Sequence, residues 1–302
     1  MLHKTDGVFI VTQTPFDENG AVDLESIDTL VDFYVKHGAD GFTVLGVSGE
    51  AGKLNQSETV QVAERFIKRA GSRPVVVGVS HSSLAQLTDL SARVMDLGAT
   101  GVMIAPPAGI QTDEEMHGYF AEVFRRNGGI PTVLQDFPFA SKVAMSVPAI
   151  LKLVETHKEI ELIKEEDLPC LNKISRLRES TGRRIAILTG NNAMYLPLEL
   201  GRGADGPMAG FSYPEMLSEV YRLYRAGKVD EVDDVFDIYL PLLRYEAMGF
   251  WGVCARKEMM RRRGAIRSAT MRTPGPKLSA ADMAELNRLS TRLERRLAER
   301  RG

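Results

Sequence analysis

The chain has 302 residues, 44% of them hydrophobic and 26% charged, with a formal net charge of −2. This is the balance of a globular protein with a substantial core, and it gives no reason to expect a nucleic acid or an anionic membrane as partner. The two cysteines, Cys170 and Cys254, lie far apart and without metal-type spacing, so neither a disulfide scaffold, a metal site nor a cofactor is expected, and a reducing, cytoplasmic setting fits.

The first apolar run, "VFIVT" (8–12), is broken by Gln13 and Pro15 and is too short for a signal peptide or a membrane span. A helical pattern with Leu30, Val31, Tyr34 and Val35 on one face follows, then "GADG" (38–41), then the apolar run "FTVLG". The same punctuation returns as "GATG" (98–101) and "GADG" (203–206). Its physical reading is a glycine that ends a helix, a short turn and a new strand. Further strand-like runs are "VVVGV", "VMIAP", "TVLQDF", "IELIK", "IAILTG" and "GPMAG", with amphipathic helical patterns between them. Strict alternation of strand and helix requires crossovers and hence a parallel sheet. Eight units over about 225 residues is the size of a closed (β/α)₈ barrel. A doubly wound open sheet is the alternative, disfavoured because no Gly-x-Gly-x-x-Gly follows the first strand. Residues 1–225 are therefore read as a (β/α)₈ TIM barrel. Residues 226–302 are read as a C-terminal extension of three helices packed on it, the last one starting at Ser279 with Asp282 as its capping partner.

In such a barrel the chemistry lies at the C-terminal ends of the strands. Lys164 is the one lysine in the eight strand patterns. Burial disfavours a charged amine, and a neutral amine adds to a ketone to form a Schiff base. The competing reading is a lysine paired with Glu165 or Glu166. At the end of strand 2, "GVSGE" (46–50) places Ser48 and Gly49 between small residues, where backbone amides and a hydroxyl can cradle a carboxylate; a plain tight turn is the alternative. His81 follows strand 3 and is read either as an acid or base or as a surface residue. The basic stretch 256–264, "RKEMMRRRG", is read as a solvated helix face at a subunit contact.

The pieces "TPFDENGAVD", "GVSGEAGKLNQSE", "IKEED", "LTGNN" and "GADGPMAG" resemble the dihydrodipicolinate synthase / N-acetylneuraminate lyase family over nearly the whole chain. The resemblance implies a homo-oligomeric barrel, tetramer or dimer, in which Lys164 forms a Schiff base with pyruvate or a related 2-oxo acid, an aldehyde serving as a further small-molecule partner. It also implies that Ser48 and Gly49 hold the carboxylate and that Met208 lies near the bound 2-oxo acid. The departures concern protons. Gln135 stands where the family has its proton-shuttling tyrosine, Val47 replaces the relay threonine, and "PPAG" (106–109) removes a second tyrosine. Ala140 stands in the place of an arginine that takes the aldehyde substrate's carboxylate. An amide is neither a useful acid nor a useful base. The remaining candidates for proton transfer are His81, Asp136 and Glu166, with Glu166 sharing the face of Lys164 and Asp136 pointing away from that of Gln135. The expected function is a Schiff-base lyase, aldolase or synthase, with a non-catalytic binder of 2-oxo acids on the same barrel as the alternative.

Overall fold

The computed structural model describes Leu2, residues 6–180 and residues 182–301. Eight parallel strands close into a barrel in chain order, β1 pairing with both β2 and β8. They are β1 (Phe9–Val11), β2 (Gly41–Val44), β3 (Val75–Gly78), β4 (Gly101–Ile104), β5 (Thr132–Asp136), β6 (Ile160–Glu165), β7 (Ala186–Thr189) and β8 (Gly206–Ala209). The crossovers carry α1 (Leu24–Lys36), α2 (Gln56–Ala70), α3 (Leu84–Asp96) and α4 (Asp113–Asn127), then α5 (Pro138–Ser141) and α6 (Val147–Thr156) between β5 and β6. They continue with α7 (Cys170–Arg178), α8 (Leu196–Gly201) and α9 (Pro214–Arg225). The fold is a (β/α)₈ TIM barrel. Among the described residues no helix is long and apolar enough to cross a membrane.

Alternation along each strand sorts the side chains into two cores. Phe9, Val11, Val76, Met103, Val133, Leu162, Leu188 and Met208 fill the barrel, with Leu2 in the same cluster. Ile10, Phe42, Val77, Ile104, Leu134, Ile163 and Ile187 point outward against the helices. The strands are buried on both faces, which is why they read as unbroken apolar runs.

The repeated tetrapeptides do two jobs. Gly38, Gly98 and Gly203 take φ values of 89°, 98° and 97°, the left-handed turn out of a helix. The third residue then ties down the start of the neighbouring strand. Asp40 Oδ2 accepts the Val8 N–H at 2.8 Å, Thr100 Oγ1 that of Val75 at 3.1 Å, and Asp205 Oδ2 that of Ile187 at 2.8 Å.

After α9 come α10 (Val229–Glu246), α11 (Gly249–Arg262) and α12 (Ala280–Arg301), α10 packing on α9 and both later helices on α10. The Ser279 hydroxyl accepts the Asp282 N–H at 3.2 Å while Asp282 accepts the Ser279 N–H at 2.7 Å. Helix α11 is not a solvated face: Arg256 and Lys257 are fully buried and Glu258 is nearly so. The helix returns to the C-terminal mouth of the barrel. There the Gln13 amide donates to Val253 O at 3.1 Å, and Lys257 meets Glu50 at 2.5 Å. Glu50 sits at φ 54° at the end of the turn after β2, and its other oxygen takes Lys53 at 2.8 Å and the Arg272 N–H at 3.1 Å. The turn after β2 is thus fastened to the C-terminal helices by a buried charge cluster. Removing one partner of such a cluster leaves a charge uncompensated. Lys257→Met is expected to lower unfolding free energy by about 3 kcal/mol, read from the urea midpoint at unchanged slope.

Candidate functional site

Lys164 is the penultimate residue of β6, opposite Gln135 on β5 and Leu188 on β7. Leu162, two residues earlier, faces the barrel interior, so Lys164 does too. Only 5% of it is exposed. Its Nζ lies 2.9 Å from Glu166 Oε1. The same oxygen accepts a hydrogen bond from the Gln135 amide at 2.8 Å. Glu166 Oε2 accepts the backbone N–H of Asn191 at 3.3 Å. The carboxylate is therefore held from β5, β6 and the turn after β7 at once. It also lies against the bare Cα of Gly190, where a Cβ would come within 2.1 Å of Oε2. Residue 190 has to be glycine for Glu166 to stand there.

The other expected residues fall into two groups. Met208 is fully buried on β8 and faces the interior. Ser48 and Gly49 lie in the 3₁₀ turn Val47–Gly49 after β2, at the same end of the barrel as Lys164. The Gly49 N–H is taken by Gly46 O at 3.0 Å and its carbonyl by the Thr14 hydroxyl at 2.6 Å, whereas the Ser48 hydroxyl has no partner among the described residues. Val47 and Ala140 are exposed.

Asp136 and His81 do not meet Lys164. His81 is exposed, and its Nδ1 accepts the Ser83 N–H at 2.9 Å in the turn before α3. Asp136 follows Gln135 on the strand and therefore points out of the barrel, where it pairs with Lys173 on α7. Glu165 is beside it on β6, and Lys173 also reaches Asp167 at 2.9 Å. This outer cluster places two buried carboxyls side by side. Burial raises the Glu165 carboxyl to about 9, and the neighbouring Asp136 charge pushes it the same way. Burial raises Asp136 to about 6 against the opposing pull of Lys173. Glu199, buried on α8 with the Cys170 thiol donating to it at 3.0 Å, is raised by burial to about 7.

Several site residues were not singled out from sequence. Gly190 and Asn191 belong to "LTGNN", marked in the sequence only as the end of strand 7 and by the resemblance. Thr43 on β2 faces inward between Phe42 and Val44, and its buried hydroxyl has no hydrogen-bond partner among the described residues.

The site is thus an enclosed lysine at the mouth of a (β/α)₈ barrel, with a carboxylate set on it by three elements. Comparison with known proteins gives the family. The model of the dihydrodipicolinate synthetase family matches residues 4–292. The chain is 30% identical to the L-2-keto-3-deoxyarabonate dehydratase of Azospirillum brasilense, over 95% of this chain and 94% of that one. It is 31% identical to the 4-hydroxy-tetrahydrodipicolinate synthase of Pelobacter propionicus, over 66% of this chain and 68% of that one. The crystal structure of the dihydrodipicolinate synthase from Rhodopseudomonas palustris superposes with a TM-score of 0.94 at 41% identity, over 97% of this chain and 99% of that chain. The chain belongs to the dihydrodipicolinate synthetase family and is a lyase-family enzyme.

The outer carboxyl cluster gives a pH signature. A carboxyl raised to about 9 keeps its proton in the folded chain while the unfolded chain has already lost it. Its contribution is complete below the unfolded value near 4.5 and fades as pH rises toward 9. Glu165→Gln removes that loss. Relative to wild type, the variant is expected to gain stability steadily between pH 5 and pH 9, measured by denaturant unfolding at each pH.

Proposed function

We propose that the chain is a Schiff-base lyase for pyruvate or a related 2-oxo acid, acting through Lys164. The observation that carries this reading is the enclosed, inward-facing Lys164 with the Glu166 carboxylate 2.9 Å from its Nζ. The amine passes its proton to Glu166 and adds to the C2 carbonyl, giving a carbinolamine. Glu166 returns the proton to the departing hydroxyl, water leaves, and the iminium that results draws electrons from C3. Removal of a C3 proton gives an enamine, which expels a C4 hydroxyl as water. In the cleavage variant the C4 hydroxyl gives its proton to Glu166, the C3–C4 bond breaks to release an aldehyde, and C3 of the resulting enamine takes that proton to restore the iminium. Hydrolysis of the remaining iminium frees Lys164.

Each route needs one group that gives and takes protons. Gln135 lacks that capacity and instead orients Glu166 through its amide. Asp136 is committed to Lys173 outside the barrel. The role falls to Glu166, the carboxylate in contact with the amine. The Ser48 hydroxyl takes the substrate carboxylate, Gly49 being committed to Gly46 and Thr14, and Met208 lines the floor beneath it. The Azospirillum dehydratase, alike over nearly the full length, supports elimination of water as the reaction. Ala140 offers no charge for an aldehyde bearing a carboxylate, which counts against synthase turnover.

Incubation with pyruvate followed by borohydride reduction is expected to leave a covalent adduct on the peptide bearing Lys164, read by mass spectrometry, and Lys164→Ala should abolish it. Glu166→Gln should slow trapping by about 10²-fold. Absence of an adduct on the wild-type chain would sink the proposal. Against a panel of 2-oxo sugar acids one is expected to be converted; adducts with every acid and turnover of none would mark a binder instead.

A further inference from the structure

Arg256 on α11 is fully enclosed at the mouth of the barrel. Its Nε donates to Glu246 at 3.1 Å, and its Nη2 donates to Asn192 Oδ1 at 2.5 Å. Glu246 is fixed in turn by the hydroxyl and backbone N–H of Ser212, just after β8. Nη1 occupies the place that a side chain on Gly210 would take: a Cβ there would lie 2.4 Å from it. The guanidinium is thus seated by Glu246 and Gly210 before it reaches Asn192. Enclosing a cation is costly unless it is well paired, so this placement calls for a physical reason.

The reason lies in the turn that Arg256 touches. Asn191, Asn192 and Ala193 have φ values of 48°, 52° and 60° in succession. The left-handed conformation is disfavoured for an L-residue, and Ala193 has no polar side chain to offset it. Such a run persists only when its surroundings hold it. The same turn supplies the Asn191 N–H to Glu166 Oε2 and the bare Cα of Gly190 against which that carboxylate rests. One path of contacts therefore leads from Ser212 and Glu246 through Arg256 to Asn192, and from its neighbour Asn191 through Glu166 to Lys164.

We propose that Arg256 is a positioning residue for the reaction: by anchoring Asn192 it holds the turn after β7 in its left-handed form, and so sets the Glu166 carboxylate on Lys164. This role rests on the reading of Lys164 and Glu166 given above. A guanidinium that merely fastened α11 to the barrel would affect stability alone.

The test measures the rate of borohydride trapping with pyruvate against pH, alongside thermal unfolding. Arg256→Gln and Asn192→Ala should each slow trapping about tenfold to a hundredfold, as displacement of a reacting group does. Both should reproduce the pH profile of Glu166→Gln. Added to Glu166→Gln, Arg256→Gln should cost no more than about a further twofold, because the two act on one group. Asn192→Asp keeps the acceptor and should retain the wild-type profile. Asn192→Ala leaves the Arg256–Glu246 pair in place and decides the matter where Arg256→Gln does not fold. Variants that melt earlier but trap at the wild-type rate with the wild-type profile overturn the role, as does full additivity with Glu166→Gln. A wild-type chain that traps no 2-oxo acid overturns the lyase reading itself, and this role with it.

Discussion

The contact between Lys164 and Glu166 is the constraint around which the mouth of the barrel is arranged. An ammonium and a carboxylate taken out of water are stable only when each is fully met. Three elements meet this carboxylate: Gln135 from β5, the backbone of Asn191 from the turn after β7, and Lys164 itself. Glycine at 190 leaves room for it. The cost of each of these features is understandable only because the carboxylate has to stand on the amine.

Two acidic sites separated by the thickness of one strand behave differently. Glu166 lies inward with a cation and two donors. Glu165 lies outward beside Asp136, which shares Lys173 with Asp167. Consecutive residues on a strand face opposite sides, so the acidic run "EED" divides into a site residue and a wall residue. The protonated state of the outer pair keeps two negative charges from standing together behind the barrel wall. Gln135 and Asp136 divide in the same way on the neighbouring strand.

Features with a local pattern were legible in the sequence. Runs buried on both faces gave the strands, the glycine tetrapeptides gave the turns, and one lysine among eight strands gave the candidate amine. Glu166 was legible because strand alternation extends two residues. Arg256 was not. Its partners, Glu246 and Asn192, belong to other elements, and its neighbours Lys257, Arg261 and Arg262 give the helix the look of a solvated basic face. In fact Arg256 and Lys257 turn inward while Arg261 and Arg262 meet Glu258 on the same helix. Periodicity cannot separate those fates, because the partners that admit the buried cations, Glu246 and Asn192 for Arg256 and Glu50 and the Phe16 ring for Lys257, belong to other elements. Asp136 was a candidate by proximity in sequence to Gln135, and side-chain direction removed it.

The two ends of the barrel are fastened by different means. At the end where strands begin, Asp40, Thr100 and Asp205 each stitch the start of a strand from within a short repeated motif. At the end where strands finish, the ties run to Arg256, Lys257 and Arg272, far along the chain. Chain order then imposes an order of assembly. During synthesis all eight strands and the three stitches are available before α11 emerges, so the sheet can close while its mouth is still unfinished. The residues that complete the mouth arrive after the barrel, which makes α11 and the segment beyond it to Arg272 the last structural pieces of the mouth and not an appendage to it.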